Sequence, residues 1–265
     1  MSRCLLSCLG LVGILGWSSV TAASGFEHEQ WNDLLERHVQ WTDGGHASVV
    51  DYGGMRADRA RLQAYLDRLS AFPAEHFARL DRLDQLAFLL NAYNAFTVAL
   101  VADGGPQIES IKDLGSLFRS PWKQRFFDLL GERRHLDEVE HELIRGNPGL
   151  ADPRIHFAVN CASVGCPALR PEAYEGAKLE AQLDDQTRRF LADRSRNRVD
   201  GDTLWLSPIF RWYRQDFGDD DPPWPFLREH AATLADEPAG RAVVRAGQLD
   251  IEYTDYDWSL NAASR

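Results

Sequence analysis

The chain has 265 residues, of which 44% are apolar, and it includes 8 tryptophans and 13 phenylalanines. This content is ample for a hydrophobic core, and the length fits one large domain or two small ones. The formal net charge of −11 argues against binding of a phosphate backbone as the main activity. No nucleic-acid partner is therefore predicted.

The first 23 residues are typical of a cleaved export signal. A short positive start, MSR, precedes the apolar run LLSCLGLVGILGW, and SVTAAS supplies small residues suited to signal peptidase. The run is too short for a permanent membrane anchor, and no later segment has the length and apolarity of a transmembrane helix. Cleavage would remove Cys4, Cys8 and Arg3, which changes the net charge from −11 to −12. We expect a soluble periplasmic or secreted protein with a single domain over residues 24–265.

The apolar spacing predicts helices at residues 26–39, 56–70 and 178–193. The segment 83–101, LDQLAFLLNAYNAFTVALV, is apolar nearly all round, as in a helix that is buried on every side. Further helices are predicted at 136–146 with Asp137 as N-cap, at 207–217 with Ser207 as N-cap, at 224–235 and at 239–246. Strands or hairpins are predicted at 48–52, 126–136, 155–160, 198–207 and 249–253. This pattern indicates an α+β, helix-rich single domain with a small, mostly antiparallel sheet.

Polar side chains are concentrated in three of these segments. Asn91 and Asn94 share one face of the apolar helix, where buried amides need hydrogen-bond partners. In EVEHELIR, His141 and Arg145 lie four residues apart and also share a face. The third segment, RIHFAVNCASVGC, holds two cysteines after a predicted strand, in which His156 would point away from the neighbouring apolar side chains.

The motifs NAYNAF, SIKD, DEVEHELIR, DPRIHFAVNCASVGCP, LEAQLDDQTRRFL and DWSLN, in this order, resemble those of the domain of unknown function 547 family. The resemblance covers about residues 86–261. Larger members of the family look like fusions with glutaredoxin-like and signalling modules, which points to thiol chemistry. The positions that match the recurring polar motifs are Asn91, Asn94, Glu140, His141, Arg145, Asp152, Arg154, His156, Cys161 and Cys166.

One hypothesis is a thiol-dependent enzyme that acts on an amide or acyl bond, such as a cysteine hydrolase or a transglutaminase-like enzyme. Cys161 would be the nucleophile, activated by His141 or His156, because a nearby imidazolium lowers the pKa of a thiol. Asn91 or Asn94 would orient the histidine or stabilise an oxyanion. A peptide or a small molecule of the cell envelope fits the predicted compartment as substrate.

The charged neighbours of this site are candidate substrate-binding residues. Glu140 and Arg145 lie in the same short helix as His141. Arg154 either forms a structural ion pair with Asp152 or holds a substrate carboxylate. The aromatic residues of IFRWYRQDF and YDWSLN are expected to belong to the core.

The alternative to a free nucleophile is a disulfide between Cys161 and Cys166, which export into an oxidising compartment favours. Such a bridge would suit a non-catalytic binding or scaffold module, or a thiol-redox protein if the bond is exposed. A third interpretation is a zinc site formed by both cysteines with His141 and His156, although the short CxxC spacing is absent. No resident metal is assigned and no cofactor is predicted, since the chain has no glycine-rich phosphate loop or CxxCH motif.

Overall fold

The structure is a computed structural model that describes residues 25–116, 119–218 and 220–263. The predicted export signal at residues 1–23, with Cys4 and Cys8, lies outside the described residues.

Helices dominate the described residues, and most of the predicted helices are confirmed within a few residues at each end. The described part of the chain has eleven α-helices, which are α1 (Glu29–His38), α2 (Tyr52–Ala57), α3 (Arg59–Ala71), α4 (Ala74–Phe77), α5 (Arg82–Gly104), α6 (Leu136–Glu138), α7 (Leu179–Ala192), α8 (Ile209–Trp212), α9 (Trp224–Glu229), α10 (Ala231–Leu234) and α11 (Pro238–Ala246). The helix predicted at 207–217 stops early, because α8 gives way to a 3₁₀ turn at Arg214–Phe217.

Helix α5 is the centre of the larger hydrophobic cluster. Asp81 caps its N-terminus by accepting a hydrogen bond from the backbone N–H of Asp84, and the chain leaves the helix at Gly105 with φ of 90°. Nearly every side chain from Leu86 to Ala102 is buried. We expected no later segment with the length and apolarity of a transmembrane helix. This expectation was wrong, because among the described residues α5 is long and apolar enough to cross a membrane. Its most apolar window is 89% buried inside the protein, as the sequence predicted for a core helix.

Three small sheets occur among the residues that the structure describes, and they confirm the α+β class. Strands β1 (Val39–Thr42) and β2 (Ala47–Val50) pair antiparallel, as do β3 (Phe127–Leu129) and β4 (Glu132–Arg134). The third sheet pairs β5 (Arg198–Asp200) antiparallel with β6 (Thr203–Leu206), and β6 parallel with β7 (Asp250–Tyr253). The pairing is mostly antiparallel, as predicted, and within the described residues it is divided among three separate sheets.

The prediction of a strand at 155–160 was wrong, because residues Pro153–Phe157 form a 3₁₀ helix. Asp152 caps this helix by accepting from the N–H of Arg154 at 2.9 Å, and Pro153 occupies its first turn, where a missing N–H costs nothing. Ile155 packs in the larger hydrophobic cluster and Phe157 in a second cluster near the C-terminus. His156 therefore lies where the chain passes between the two cores.

The helix predicted at 136–146 is confirmed, but its N-cap is His135 instead of Asp137. The His135 ring accepts from the N–H of Glu138, whose carboxylate accepts from the N–H of His135, which completes a capping box. After α6 the chain continues as a π-helix at Val139–Arg145 and ends at Gly146. The wider turn buries Glu140 while His141 stays partly exposed. Such π-helical turns are frequent at functional sites.

Candidate functional site: a disulfide in an aromatic cleft

A cleft with a cavity volume of about 160 Å³ brings together side chains from α5, from residues 122–167, from residues 209–213 and from residues 256–258. Three tryptophans, Trp122, Trp212 and Trp258, form part of its wall. The lining side chains that carry reactive or polar atoms are Asp137, Glu140, His141, His156, Cys161, Cys166, Tyr213 and Tyr256. The candidate residues Glu140, His141, His156 and Cys161 thus meet in one place.

Cys161 and Cys166 are joined by a disulfide, with their Cα atoms 6.1 Å apart, a normal separation for this bond. Cys161 is partly exposed, whereas Cys166 is 5% exposed. The N–H of Cys161 donates to the sulfur of Cys166 at 2.8 Å. The sulfur of Cys161 lies 3.3 Å from Ser163 Oγ and 3.2 Å from Tyr256 Oη. Both sulfurs therefore have hydrogen-bond donors close by.

The loop that carries the disulfide is also held by hydrogen bonds that do not involve sulfur. Asn160 Oδ1 accepts from the N–H of Ala162, which adopts φ of 63°. The guanidinium of Arg196 donates to the carbonyls of Cys166 and Val164 at 2.8 and 2.7 Å. The N–H of Gly165 donates to the carbonyl of Asp257 at 2.8 Å. These bonds fix the position of the loop against the C-terminal segment.

His156 is buried and is oriented by a carboxylate. Its Nε2 donates to Asp216 Oδ2 at 2.6 Å, and its ring stacks on Tyr213 with centroids 4.0 Å apart. Arg145 donates to the same carboxylate at 2.5 and 3.1 Å and to Nδ1 of His141 at 2.9 Å. Burial acts to raise the pKa of Asp216, but the hydrogen bonds from His156 and Arg145 outweigh it and hold that pKa well below its usual range.

Glu140 is a buried carboxylate in the wall of the cleft. The residue is 5% exposed, and its Oε1 has no hydrogen-bond partner among the described residues. Oε1 lies 4.0 Å from Nδ1 of His156, which is also buried and also without a partner among the residues described. Burial, and then the charge and hydrogen bond of Glu140, raise the pKa of Tyr213 well above its usual value. Tyr213 is therefore a permanent donor at neutral pH.

The roles predicted for Asn91 and Asn94 are not those that the structure gives them, since neither amide lines the cleft. Asn91 donates to the carbonyl of Tyr174 at 2.7 Å and accepts from its N–H at 3.0 Å. Asn94 donates to the carbonyl of Ala158 at 3.0 Å and accepts from the N–H of Asn160 at 2.8 Å. Each amide donates one hydrogen bond to irregular backbone and accepts one from it, as a neighbouring strand would do in a sheet. Asn94 in this way holds the segment that leads into the disulfide.

The two arginines predicted to bind substrate also lie outside the cleft lining. Arg154 forms ion pairs with Asp152, Glu180 and Asp184, which ties the 3₁₀ helix to α7. The hydrogen bonds that Arg154 donates to these carboxylates, chiefly to Asp152, raise the pKa of the Arg154 guanidinium further above its usual value. Arg145 acts on the site indirectly, through its hydrogen bonds to Asp216 and His141. These contacts favour the interpretation of Arg154 as a structural ion pair over that of a group that binds a substrate carboxylate.

Sequence reasoning missed three residues of the site. Asp216, Tyr213 and Tyr256 were assigned to aromatic core segments, yet Asp216 orients His156 and both tyrosines line the cleft. The assignment of these segments to the core was also wrong for Trp212, which is 44% exposed. The alternation of aromatic and charged residues in RWYRQDF was the available signal for a surface site.

The zinc interpretation requires both cysteines as thiolates, and in the structure their sulfurs are bonded to each other. Within the described part of the chain, no group of three or more His, Cys, Asp or Glu side chains is arranged to hold a metal ion.

Residues 77–191 match the model of a family described as "Protein of unknown function, DUF547". The resemblance deduced from the motifs is thus confirmed, although the matched range ends before the DWSLN motif. No curated protein matches the chain, and no solved structure matches it.

Proposed function

We propose that this chain, whose residues 77–191 belong to the DUF547 family, is an exported thiol–disulfide exchange protein. The observation that carries the proposal is the position of the Cys161–Cys166 disulfide in the wall of a cleft, where residue Cys161 is partly exposed and residue Cys166 is buried. Exposed disulfides are the labile and catalytic ones, whereas structural disulfides are shielded. An oxidising compartment outside the cytoplasm would supply the bond in its oxidised form.

The surroundings of the two sulfurs support a direction for the exchange. A thiolate of a dithiol substrate attacks Sγ of Cys161, the S–S bond breaks, and its electron pair goes to Cys166. The N–H of Cys161, 2.8 Å from the sulfur of Cys166, stabilises the thiolate that leaves. A substrate–Cys161 mixed disulfide results.

The second thiolate of the substrate then attacks the substrate sulfur that is bonded to Cys161, and the Cys161 thiolate leaves. Ser163 Oγ and Tyr256 Oη are placed to donate to the Cys161 thiolate. The substrate leaves as a disulfide after losing two electrons, and the cysteine pair holds those electrons. Both cysteine thiolates take up protons that the substrate thiols released.

A glutathione titration tests this proposal. The protein is purified without added thiols from a bacterial host that exports it, and is then equilibrated in buffers with different ratios of reduced to oxidised glutathione. Free thiols are alkylated, and peptide mapping distinguishes Cys161 and Cys166 from Cys4 and Cys8. We expect reversible reduction of the pair within the glutathione range while the circular dichroism spectrum stays native. A pair that resists reduction until the protein unfolds would overturn the proposal in favour of a structural bridge, and two free thiols at purification would also overturn it.

A matched pair of variants tests the assigned direction. Cys166→Ser leaves the thiol of the partly exposed Cys161, and Cys161→Ser leaves the thiol of the buried Cys166. With glutathione disulfide as the probe, we expect the first variant to form a mixed disulfide at least about tenfold faster, because access controls the exchange rate. Equal rates would contradict the assignment of Cys161 as the attacked sulfur.

A second candidate is acyl transfer by the reduced protein, and the observation that favours it is the presence of His141, His156 and Glu140 in the same cleft as Cys161. The Cys161 thiolate would add to a carbonyl, a histidine would protonate the leaving group, and water would release the acyl group. The probe is p-nitrophenyl acetate. A burst of one nitrophenolate per reduced protein, absent from the oxidised protein and from Cys161→Ser, would support this candidate, and the absence of a burst would remove it.

A further inference from the structure

One ring nitrogen of His141 offers a hydrogen bond to the cleft. His141 lines the cleft, and its side chain is 38% exposed. Its Nδ1 lies 2.9 Å from Nη1 of Arg145. A guanidinium has only donors, so Nδ1 accepts and the hydrogen of the ring is on Nε2. Nε2 has no partner among the described residues, and it reaches the surface, in contrast to the buried Nδ1 of His156.

The donor character of Nε2 does not depend on the charge of the His141 ring. A neutral ring whose Nδ1 accepts from Arg145 has its hydrogen on Nε2, and a protonated ring has a hydrogen on each nitrogen. The remaining tautomer, with its hydrogen on Nδ1 alone, would point an N–H at the N–H of Arg145 and gains no hydrogen bond there. A molecule in the cleft therefore meets a donor at His141 and satisfies it with an acceptor.

The charges around the cleft favour a neutral acceptor. Asp137 and Glu140 line the cleft, and none of its lining residues in the described part of the chain is a lysine or an arginine. The charge of Arg145 is matched by Asp216, and Lys112 lies at the margin, over an indole ring. A ligand carboxylate would lie near two others and be repelled. A carbonyl oxygen accepts the same hydrogen bond without this repulsion.

An exposed indole lies beside the sulfur that the exchange requires. Trp212 is 44% exposed, and its ring centroid is 4.8 Å from that of Tyr256. Oη of Tyr256 is in turn 3.2 Å from the sulfur of Cys161. Trp258 stacks on the same indole, with centroids 6.0 Å apart. A side chain next to the reacting sulfur of a substrate therefore meets an aromatic surface.

We propose that the cleft binds the main chain of a polypeptide, one of whose carbonyl oxygens accepts a hydrogen bond from Nε2 of His141. An apolar side chain next to the substrate cysteine packs on Trp212. The assignment of a peptide carbonyl rests on the proposed function, because a polypeptide carries both the thiols for the exchange and uncharged acceptors. The cavity volume of about 160 Å³ admits one side chain of roughly the size of benzene. His141 is thus a substrate-binding residue.

Titration of the oxidised full chain with thiol-free probes, followed by tryptophan fluorescence and calorimetry, tests the inference. The first probe is an acetylated tetrapeptide amide of serine, phenylalanine, alanine and serine, in which the serines replace the cysteines of a dithiol substrate. The second has aspartate in place of alanine. The third is chitotetraose, whose hydroxyl groups also accept hydrogen bonds and whose sugar rings also stack on indole.

We expect the first probe to bind at least about threefold more tightly than the aspartate peptide, because of the repulsion from Asp137 and Glu140. We also expect it to bind more tightly than chitotetraose. Equal affinities for the two peptides, no detectable binding of the first, or a preference for chitotetraose would each overturn the inference.

Three variants locate the donor. His141→Phe keeps a ring and removes the donor, and we expect it to lose about threefold to tenfold in affinity for the first probe, the net contribution of one hydrogen bond. His141→Gln should retain the affinity within about twofold, since its amide can accept from Arg145 and still donate to the ligand. His76→Phe is the control, because His76 is exposed and does not line the cleft. An unchanged affinity in His141→Phe, or an equal loss in both His141 variants, would contradict the assignment.

The failure of this inference and the failure of the exchange proposal are distinguishable, because the probes carry no thiol. Peptide binding by a protein whose disulfide resists glutathione until unfolding would remove the exchange proposal and leave a peptide-binding cleft. Reversible reduction of the pair with no binding of the first probe would remove this inference alone.

Discussion

Asn94 is the residue through which the buried helix α5 fixes the segment that leads into the disulfide, and the change Asn94→Leu tests this role. The amide is 2% exposed and makes two hydrogen bonds, to the carbonyl of Ala158 and from the N–H of Asn160. Leucine has the same number of side-chain heavy atoms, branched at the same carbon, but neither hydrogen-bonding group, so the change leaves two backbone groups buried without this partner.

The expected loss of unfolding free energy follows from those two groups. Each unsatisfied backbone group costs about 1–3 kcal/mol, which gives about 2–6 kcal/mol in total. The carbonyl of Ala158 keeps a long contact with Tyr174 Oη at 3.5 Å, so the cost falls in the lower half of that range, about 2–4 kcal/mol. Since whole domains are stable by only about 5–15 kcal/mol, the variant should remain folded but be clearly weakened.

Urea unfolding of the oxidised protein, followed by circular dichroism, measures this loss. The matched control is Asn147→Leu, which removes the bond that Asn147 Oδ1 accepts from Gly149 on the exposed surface, where water replaces it. We expect the control to lose no more than about 1.5 kcal/mol. A loss below 1 kcal/mol in Asn94→Leu, or a loss equal to that of the control, would refute the assigned role.

Three further changes probe the site. Hydrogen bonds keep the pKa of Asp216 low, so its carboxylate contributes stability above about pH 4 that is lost on acidification; Asp216→Asn should flatten the fall in urea stability between about pH 5 and 3. Burial raises the pKa of Tyr256 to about 12, so it remains a donor to Cys161 at neutral pH; Tyr256→Phe should slow iodoacetamide labelling of the reduced Cys161 about threefold to tenfold, because the pKa of the thiol rises. A Cβ at Gly165 would lie 2.9 Å from the carbonyl oxygen of Asp257; Gly165→Ala should cost about 1–3 kcal/mol in thermal or urea unfolding.

Two of these changes have a control at which the same substitution should have little effect. Tyr253→Phe alters a tyrosine of β7 that does not line the cleft, and its labelling rate should match that of the unaltered protein. Gly149→Ala places a Cβ 3.3 Å from the exposed side chain of Asn147, which can move aside. An acid stability profile of Asp216→Asn that parallels the unaltered protein would contradict the role of the carboxylate.

The sequence predicted those elements whose apolar pattern is local. Helix α7 was found by its amphipathic periodicity, helix α5 by its nearly continuous apolar sequence, and the hairpin of β5 and β6 by its Asp-Gly turn, where Gly201 adopts φ of 59°. The 3₁₀ helix at Pro153–Phe157 was missed because β-branched and apolar residues were given more weight than the Asp-Pro start. That start is itself a helix signal, with a side-chain cap at Asp152 and a proline in the first turn.

The site was predicted where its residues lie in neighbouring motifs and missed where they come from distant parts of the chain. Glu140, His141, His156 and Cys161 belong to two adjacent motifs and meet in the cleft. Asp216 lies 60 residues after His156, and no local spacing links the two. For Asn94 the residue was found but its role was wrong, since only the fold reveals that irregular backbone surrounds the amide and takes both of its hydrogen bonds.

The disulfide is not the main support of its loop, and this bears on whether it can open and close. A bridge across so short a loop contributes about 2 kcal/mol in the chain-entropy model. Arg196, Asn160 and the C-terminal segment hold the same loop through bonds that do not involve sulfur. Reduction therefore removes one constraint among several and leaves Ser163 and Tyr256 in place as donors to a thiolate. A buried bridge on which the fold depended would gain nothing from such donors, and their presence at Cys161 favours a pair that cycles.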